Sequence, residues 1–192
     1  MQNEIPDQAQ VVIVGGGIMG CSVAYHLSKI GCSDVVLVEQ YELTAGSTWH
    51  AAGAIGQLRS SANITKLLSE SVRLYETLEQ ETGQPTGWVR NGSLRLACTK
   101  ERQAEFEVAA TIARSFGIDL QMLAPSEVLK IVPQMNVSDL VCAAYVPSDG
   151  VANPSDITNA LAKGARNNGV KIFDRTKLVG FDIKGDHVKG VL

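Results

Sequence analysis

Three glycines and a carboxylate carry the most explicit chemistry in this 192-residue chain: Gly15, Gly17 and Gly20 in a G-x-G-x-x-G pattern, and Glu39 further on. Gly15 allows a tight turn, Gly17 lets a pyrophosphate approach the backbone, and Gly20 lets a helix pack closely on a sheet. The first N–H groups of that helix offer partial positive charge to phosphate oxygens. A carboxylate at the Glu39 spacing accepts hydrogen bonds from ribose hydroxyls and repels a 2′-phosphate. The pattern predicts a bound dinucleotide without a 2′-phosphate. The glycines by themselves do not choose between a nicotinamide and a flavin. A second run of small residues, Gly46-Ser-Thr-Trp-His-Ala-Ala-Gly53, follows Glu39. A flavin extends further from the first helix and needs such a strip, but on spacing alone a surface loop explains the run equally well.

The elements around these residues suit the task. Val11–Val14 and Val35–Val38 are continuous β-branched and aliphatic runs, the pattern of strands buried on both faces of a parallel sheet. Apolar residues at Val23, Leu27 and Ile30 give the intervening segment a helical period, and Gly31 suits its C-terminal stop. The opening is therefore β-α-β. Beyond it, residues 64–80 and 100–116 read as helices, with a short one starting at Pro125. Asn91-Gly92 predicts a hairpin within residues 88–98. Residues 140–146 read as a strand. Residues 154–168 read as a helix with Pro154 in its first turn and Gly169 just past its end. Strands at 170–173, 178–183 and 187–192 complete the reading, the last two joined by Lys184-Gly185-Asp186. The fold class is α/β, a Rossmann-like β-α-β with an inserted mixed α+β segment. The predicted divisions are 1–83, 84–148 and 149–192, the last returning to the first domain.

Composition narrows the partners. The net charge is −3 and no basic block occurs, which argues against nucleic acid. No apolar run approaches the roughly 20 residues of a membrane helix. Cys21, Cys32, Cys98 and Cys142 form no C-x-x-C pair and fit no zinc spacing, so they read as reduced thiols and no metal is expected. The first residues show neither a signal nor a transit peptide.

Residues 44–54, Thr-Ala-Gly-Ser-Thr-Trp-His-Ala-Ala-Gly-Ala, resemble the flavin-attachment segment of the sarcosine and dimethylglycine dehydrogenases. These are FAD-dependent amine dehydrogenases of the D-amino-acid-oxidase superfamily. Leu78-Glu-Gln-Glu-Thr-Gly83, Gly87-Trp-Val-Arg-Asn-Gly92, Met135-Asn-Val-Ser-Asp-Leu140 and Val146-Pro-Ser-Asp-Gly150 are similar to the same branch. The resemblance implies a glutathione-reductase-type FAD-binding fold and a covalent link from His50 to the flavin 8α-methyl carbon. It implies backbone contacts from Ile18 and Met19 at the pyrophosphate turn, and ribose contacts from Glu39 and Gln40. Gly46, Ser47, Thr48, Trp49, His50, Ala51, Ala52, Gly53 and Ala54 would line the flavin, and Leu178 would touch the adenine. Arg59 would meet a substrate carboxylate or stand as a surface charge. Asn153, where many relatives have Asp, would still cap the helix that follows.

The family's reaction removes a hydride equivalent from an N-methyl group of a small amino acid. The implied partners are that amine and an electron acceptor such as an electron-transfer flavoprotein, with tetrahydrofolate as a one-carbon acceptor in the full-length protein only. Catalytic residues are not assigned; in the family much of the pocket lies beyond residue 192. Location would be cytoplasmic in a bacterium and the mitochondrial matrix in a eukaryote. The chain also resembles the non-catalytic regulatory subunit of pyruvate dehydrogenase phosphatase, in Ser22-Val-Ala-Tyr-His-Leu-Ser-Lys29 and Asn168-Gly-Val-Lys-Ile-Phe-Asp-Arg-Thr176. That branch lacks the flavin-linking His, so Trp49-His50 favours the enzyme. The final strand implies neighbours further along a longer polypeptide, with the isolated 192 residues expected to fold poorly.

Overall fold

The computed structural model describes residues 4–192. In chain order it has β1 (Val11–Val14), α1 (Ile18–Lys29), β2 (Val35–Val38), a single 3-10 turn (Thr48–His50), β3 (Ala54–Ile55) and α2 (Ala62–Thr82). Then come β4 (Ser93–Ala97), α3 (Lys100–Ser115), β5 (Gln121–Leu123), α4 (Pro125–Ile131), β6 (Cys142–Val146) and β7 (Gly150–Val151). The chain closes with α5 (Pro154–Asn167), β8 (Lys171–Phe173), β9 (Phe181–Lys184) and β10 (His187–Val191). It divides into two compact units. The first comprises residues 1–53, 77–87 and 153–192; the second comprises 54–76 and 88–152.

The first unit is built on a parallel sheet in the order β1-β2-β8, with Val11 opposite Val35 and Val36 opposite Lys171. The central strand β2 is buried at all four positions, as an apolar run in a parallel sheet requires. β1 is only half-buried, with Val14 54% exposed, because among the described residues it has a neighbour on one side only. Helices α1 and α5 meet through Gly164: a Cβ there would fall 2.7 Å from the Tyr25 ring. Asn168 Nδ2 donates to Ser28 Oγ at 3.1 Å across the same seam. Asn153 caps α5, its side-chain oxygen accepting from the N–H groups of Ser155 and Asp156, as the sequence predicts.

A polar cluster lies beside this seam. Glu81 accepts from Lys29 Nζ (2.8 Å), Tyr25 Oη (2.7 Å) and Thr77 Oγ1 (2.7 Å). Those donors, Lys29 first, hold the Glu81 carboxyl down at about 2.

The second unit is an antiparallel sheet in the order β4-β6-β5, with Leu94 opposite Tyr145 and Met122 opposite Ala144. Phe106 of α3 packs on Ala97, Cys142 and Ala144, while Val128 of α4 packs on Leu140 and Ala143. The short strands β3 and β7 pair antiparallel.

The Asn91-Gly92 hairpin does not form. Val89 bridges to Val151 and Ser93 pairs with Val146, so the two segments flanking Asn91-Gly92 take different partners. Gly92 keeps its positive φ of 76° but donates its N–H to Asp149 O. The short strands β5 and β7 carry too few residues to show a period. The strand read at 178–183 is ordered as β9 only from Phe181. The predicted turn before β10 is present, with Gly185 at φ 60°.

Replacing Gly164 by Ala drives a methyl into the Tyr25 ring, and overpacking of this kind costs about 1–3 kcal/mol. Denaturant unfolding should show that loss. The folded-state pKa of Glu81 lies below its ordinary 4.5, so its contribution is present above pH 4.5 and disappears as pH falls towards about 2. Accordingly, Glu81→Gln should be less stable than the parent at neutral pH, and the two melting curves should converge below pH 4.5.

Candidate functional site

The site is a turn between a strand and a helix, held shut by a neighbouring carboxylate and a neighbouring hydroxyl. β1 ends at Val14, and Gly15 follows with φ 109°, a conformation without steric cost only for glycine. Gly15 N–H donates to Val38 O at 2.9 Å, which joins the turn to the end of β2. Glu39 lies directly after β2. Its Oε2 accepts from Gly16 N–H at 2.7 Å and its Oε1 from Tyr41 N–H at 2.9 Å. Each carboxylate oxygen thus has one protein donor and keeps accepting capacity for a further hydroxyl.

Gly17 is the N-cap of α1 and supplies no side-chain cap. Thr48 provides the cap instead: its Oγ1 accepts from Ile18 N–H at 3.1 Å. The first bond of the helix ladder at this end runs from Cys21 N–H to Gly17 O at 3.0 Å. The N–H groups of Met19 and Gly20 precede that ladder, in the first turn where donors have no intrahelical partner. A Cβ on Gly20 would fall against the Gly15 carbonyl oxygen, far inside van der Waals contact. A Cβ on Gly17 would sit 3.1 Å from Thr48 Oγ1. The absent side chains leave the backbone of the turn uncovered. Cys21 packs beneath, its thiol donating to Gly16 O at 3.6 Å. Burial pushes that thiol up to about 11, which keeps it protonated and inert at neutral pH.

The second strip begins at Thr44, a non-glycine residue with φ 72°. Its N–H donates to Gly16 O at 3.1 Å, and its hydroxyl accepts from Ser155 Oγ at 3.3 Å. The strip therefore returns to the glycine turn. Thr48 is buried, whereas Trp49 (58% exposed) and His50 face solvent. The Trp49 and His50 rings lie 3.7 Å apart centre to centre. His50 Nδ1 stands 3.2 Å from Gly46 O. A carbonyl only accepts, so Nδ1 is the donor in this contact.

The structure thus brings Gly15, Gly17, Ile18, Gly20, Glu39 and Thr48 into one bonded constellation. Met19 projects its side chain outward, which leaves only its backbone at the turn. Gln40, Ser47, Ala51 and Ala52 are exposed beside the constellation in sequence, and Gly53 is buried. Ala54 belongs to β3 of the second unit. Leu178 lies outside any strand, between β8 and β9; the nearer residue Thr176 donates its N–H to Glu39 O at 2.7 Å. Sequence reasoning missed Gly16 as the donor to Glu39 and Thr44 as the residue that ties the strip to the turn. A third consecutive glycine was the available signal for the first.

Arg59 lies in the second unit. Arg59 N–H donates to Thr65 Oγ1, and the Thr65 hydroxyl donates back to Arg59 O, both at 3.1 Å. Among the described residues no group of three or more His, Cys, Asp or Glu side chains is placed to hold a metal ion. No helix there is long and apolar enough to cross a membrane.

The glycine turn, its capped helix and its carboxylate are what a dinucleotide-binding flavoprotein requires, and the model of one such family, FAD dependent oxidoreductase (DAO), matches residues 10–192. The chain belongs to this family. It is 47% identical to the mitochondrial pyruvate dehydrogenase phosphatase regulatory subunit of Mus musculus, over 97% of the chain and 21% of that protein. It is 44% identical to dimethylglycine dehydrogenase of Rattus norvegicus over 87% of the chain and 20% of that protein. Sarcosine dehydrogenase of Homo sapiens is 38% identical over 95% and 20% respectively. Among solved structures, L-proline dehydrogenase from P. horikoshii superposes with a TM-score of 0.91 at 30% identity, covering 97% of this chain and 49% of that one. The chain therefore spans about a fifth of the length of these curated relatives. Its mixed α/β fold is that of FAD-dependent oxidoreductases.

Because the Gly20 Cα packs on the Gly15 carbonyl, Gly20→Ala must open the turn. Overpacking of this size costs about 1–3 kcal/mol. Purified full-length Gly20→Ala protein should carry markedly less flavin per polypeptide than the parent, read from visible absorbance, and should melt lower.

Proposed function

We propose that this chain is the N-terminal, FAD-binding part of a flavoenzyme that oxidatively demethylates a small N-methyl amino acid, sarcosine or dimethylglycine. By sequence, residues 1–83 and 149–192 would be the FAD-binding domain and 84–148 part of the substrate domain, whereas the first compact unit comprises residues 1–53, 77–87 and 153–192. The observation that carries the reading is His50: it sits in a strip bonded back to the glycine turn, with Nδ1 engaged by Gly46 O and Nε2 without a protein partner among the described residues.

The residues present fit FAD. Gly15, Gly17 and Gly20 leave backbone open at the turn, and the N–H groups of Met19 and Gly20 in the first turn of α1 would meet the pyrophosphate beside Ile18, whose N–H is held by Thr48 Oγ1. Glu39 has accepting capacity for the adenosine ribose, with Gln40 beside it and the Leu178 backbone at the adenine. Gly46, Ser47, Thr48, Trp49, His50, Ala51, Ala52, Gly53 and Ala54 would line the flavin. His50 would hold the flavin through a covalent bond to its 8α-methyl carbon, with the Trp49 ring 3.7 Å from the imidazole centre to centre. When bound, FAD accepts the hydride equivalent from the N-methyl group; the protein's part is to bind and orient it. An electron-transfer flavoprotein would reoxidise the cofactor, and tetrahydrofolate would take the one-carbon unit only in the full-length protein. The mitochondrial relatives support a matrix location in a eukaryotic source and the cytoplasm in a bacterial one.

A second reading rests on the 47% identity to a regulatory subunit, in which the fold would serve regulation without turnover. Acid precipitation of the full-length protein separates the two. The enzyme should give a yellow pellet, and His50→Ala should release its flavin to the supernatant. A wild-type protein colourless from the start would support the regulatory reading, while a flavin released by acid from the wild type would overturn the covalent link.

A further inference from the structure

Thr48 belongs to two structures at once. Its side chain caps α1, with Oγ1 accepting from Ile18 N–H at 3.1 Å. Its backbone closes the 3-10 turn that carries Trp49 and His50: Thr48 O accepts from Ala51 N–H, and Ser47 O from His50 N–H, both at 3.2 Å. A shift of the Thr48 side chain is therefore passed to the imidazole within a single turn.

Two further footholds seat the strip on the glycine turn. Thr44 N–H donates to Gly16 O at 3.1 Å. The Leu43 side chain fills the space beside Gly16, where an added Cβ would fall 2.5 Å from Leu43 Cδ2. The strip thus rests on residues 16–18, directly before the first turn of α1. Thr48 is only 8% exposed, and its hydroxyl hydrogen has no acceptor among the described residues. A hydroxyl that accepts one bond can still donate one. A buried donor left over at a helix start, beside the N–H groups of Met19 and Gly20, suits an anion.

Resting on the reading of this turn as the diphosphate site of FAD, we propose that Thr48 is a positioning residue that couples the two halves of the cofactor site. Occupancy of the diphosphate position orders residues 44–51 and so fixes the His50 imidazole. The adenosine diphosphate moiety alone, with no flavin ring, is sufficient to set the strip. A phosphate oxygen that takes the Thr48 hydrogen polarises the same oxygen that accepts from Ile18 N–H, so the two bonds strengthen each other. Linkage makes the effect reciprocal: a strip held by Thr48 raises affinity for the diphosphate by the same factor.

The test uses full-length His50→Asn protein freed of flavin, since the amide can still donate to Gly46 O but forms no flavin link. The probe is ADP, with affinity read by calorimetry and amide hydrogen exchange followed over residues 15–20 and 44–51. ADP should slow exchange in both segments. With Thr48→Val added, ADP should still protect 15–20 but leave 44–51 unchanged, and its affinity should fall about fivefold, the effect of losing one helix cap. Thr48→Ser should restore both. ADP that protects the turn but not the strip when Thr48 is intact would overturn the coupling, whether or not Thr48→Val folds. Equal strip protection in Thr48→Val would overturn it as well. ADP that does not bind at all would overturn the FAD reading together with the coupling.

Discussion

The hydrogen bond from Gly16 N–H to Glu39 at 2.7 Å is the joint on which the first unit turns. It connects the residue after β1 to the residue after β2, so the ends of two adjacent parallel strands share a charge-assisted contact. Gly15 N–H to Val38 O reinforces it one residue earlier. With the turn held there, α1 starts directly over the Gly15 carbonyl, an approach open only because Gly20 has no side chain. Thr48 then caps the helix from thirty residues away. A helix capped by a distant loop, and not by its own N-cap, couples the order of that loop to the order of the turn. The strip carrying His50 is fastened at Thr44 and at Thr48, so its imidazole is presented from a braced segment.

The second unit has an analogous joint in Asp149. A fully buried carboxylate is costly unless its oxygens are satisfied, and here both are, by Gln57 and Ser93. The Asp149 N–H and C=O are also engaged, by Val146 O and Gly92 N–H. One residue therefore links the segment after β3, the start of β4 and the turn between β6 and β7. This connectivity explains why Asn91-Gly92 makes no hairpin: the strand after it already has a partner in β6, and Gly92 closes onto Asp149 instead.

Much of the fold was legible because its signals are local. The apolar runs of β1 and β2, the caps at Asn153 and Gly31, and the glycine spacing each act within a few residues, and each stands where the pattern puts it. The exposure of Val14, the two-residue strands β3 and β7, and the shortened β9 were not legible. They depend on which strand happens to have a neighbour, and that is a property of sheet assembly. The candidate site divides the same way. Gly15, Gly17, Gly20 and Glu39 are readable from spacing, whereas the roles of Gly16, Thr44 and Thr48 rest on contacts spanning 23 to 30 residues.

By itself, the sequence determined the β-α-β opening, the need for bare backbone at the turn and the carboxylate directly after β2. Sterics and short-range hydrogen bonding set these, and they depend on residue type and spacing alone. Only the tertiary structure decided that Thr48 caps α1 and that Arg59 and Arg95 meet on one carbonyl. Those outcomes require side chains from separate elements to arrive at a common point. Chain packing brings them there, and no local periodicity encodes it.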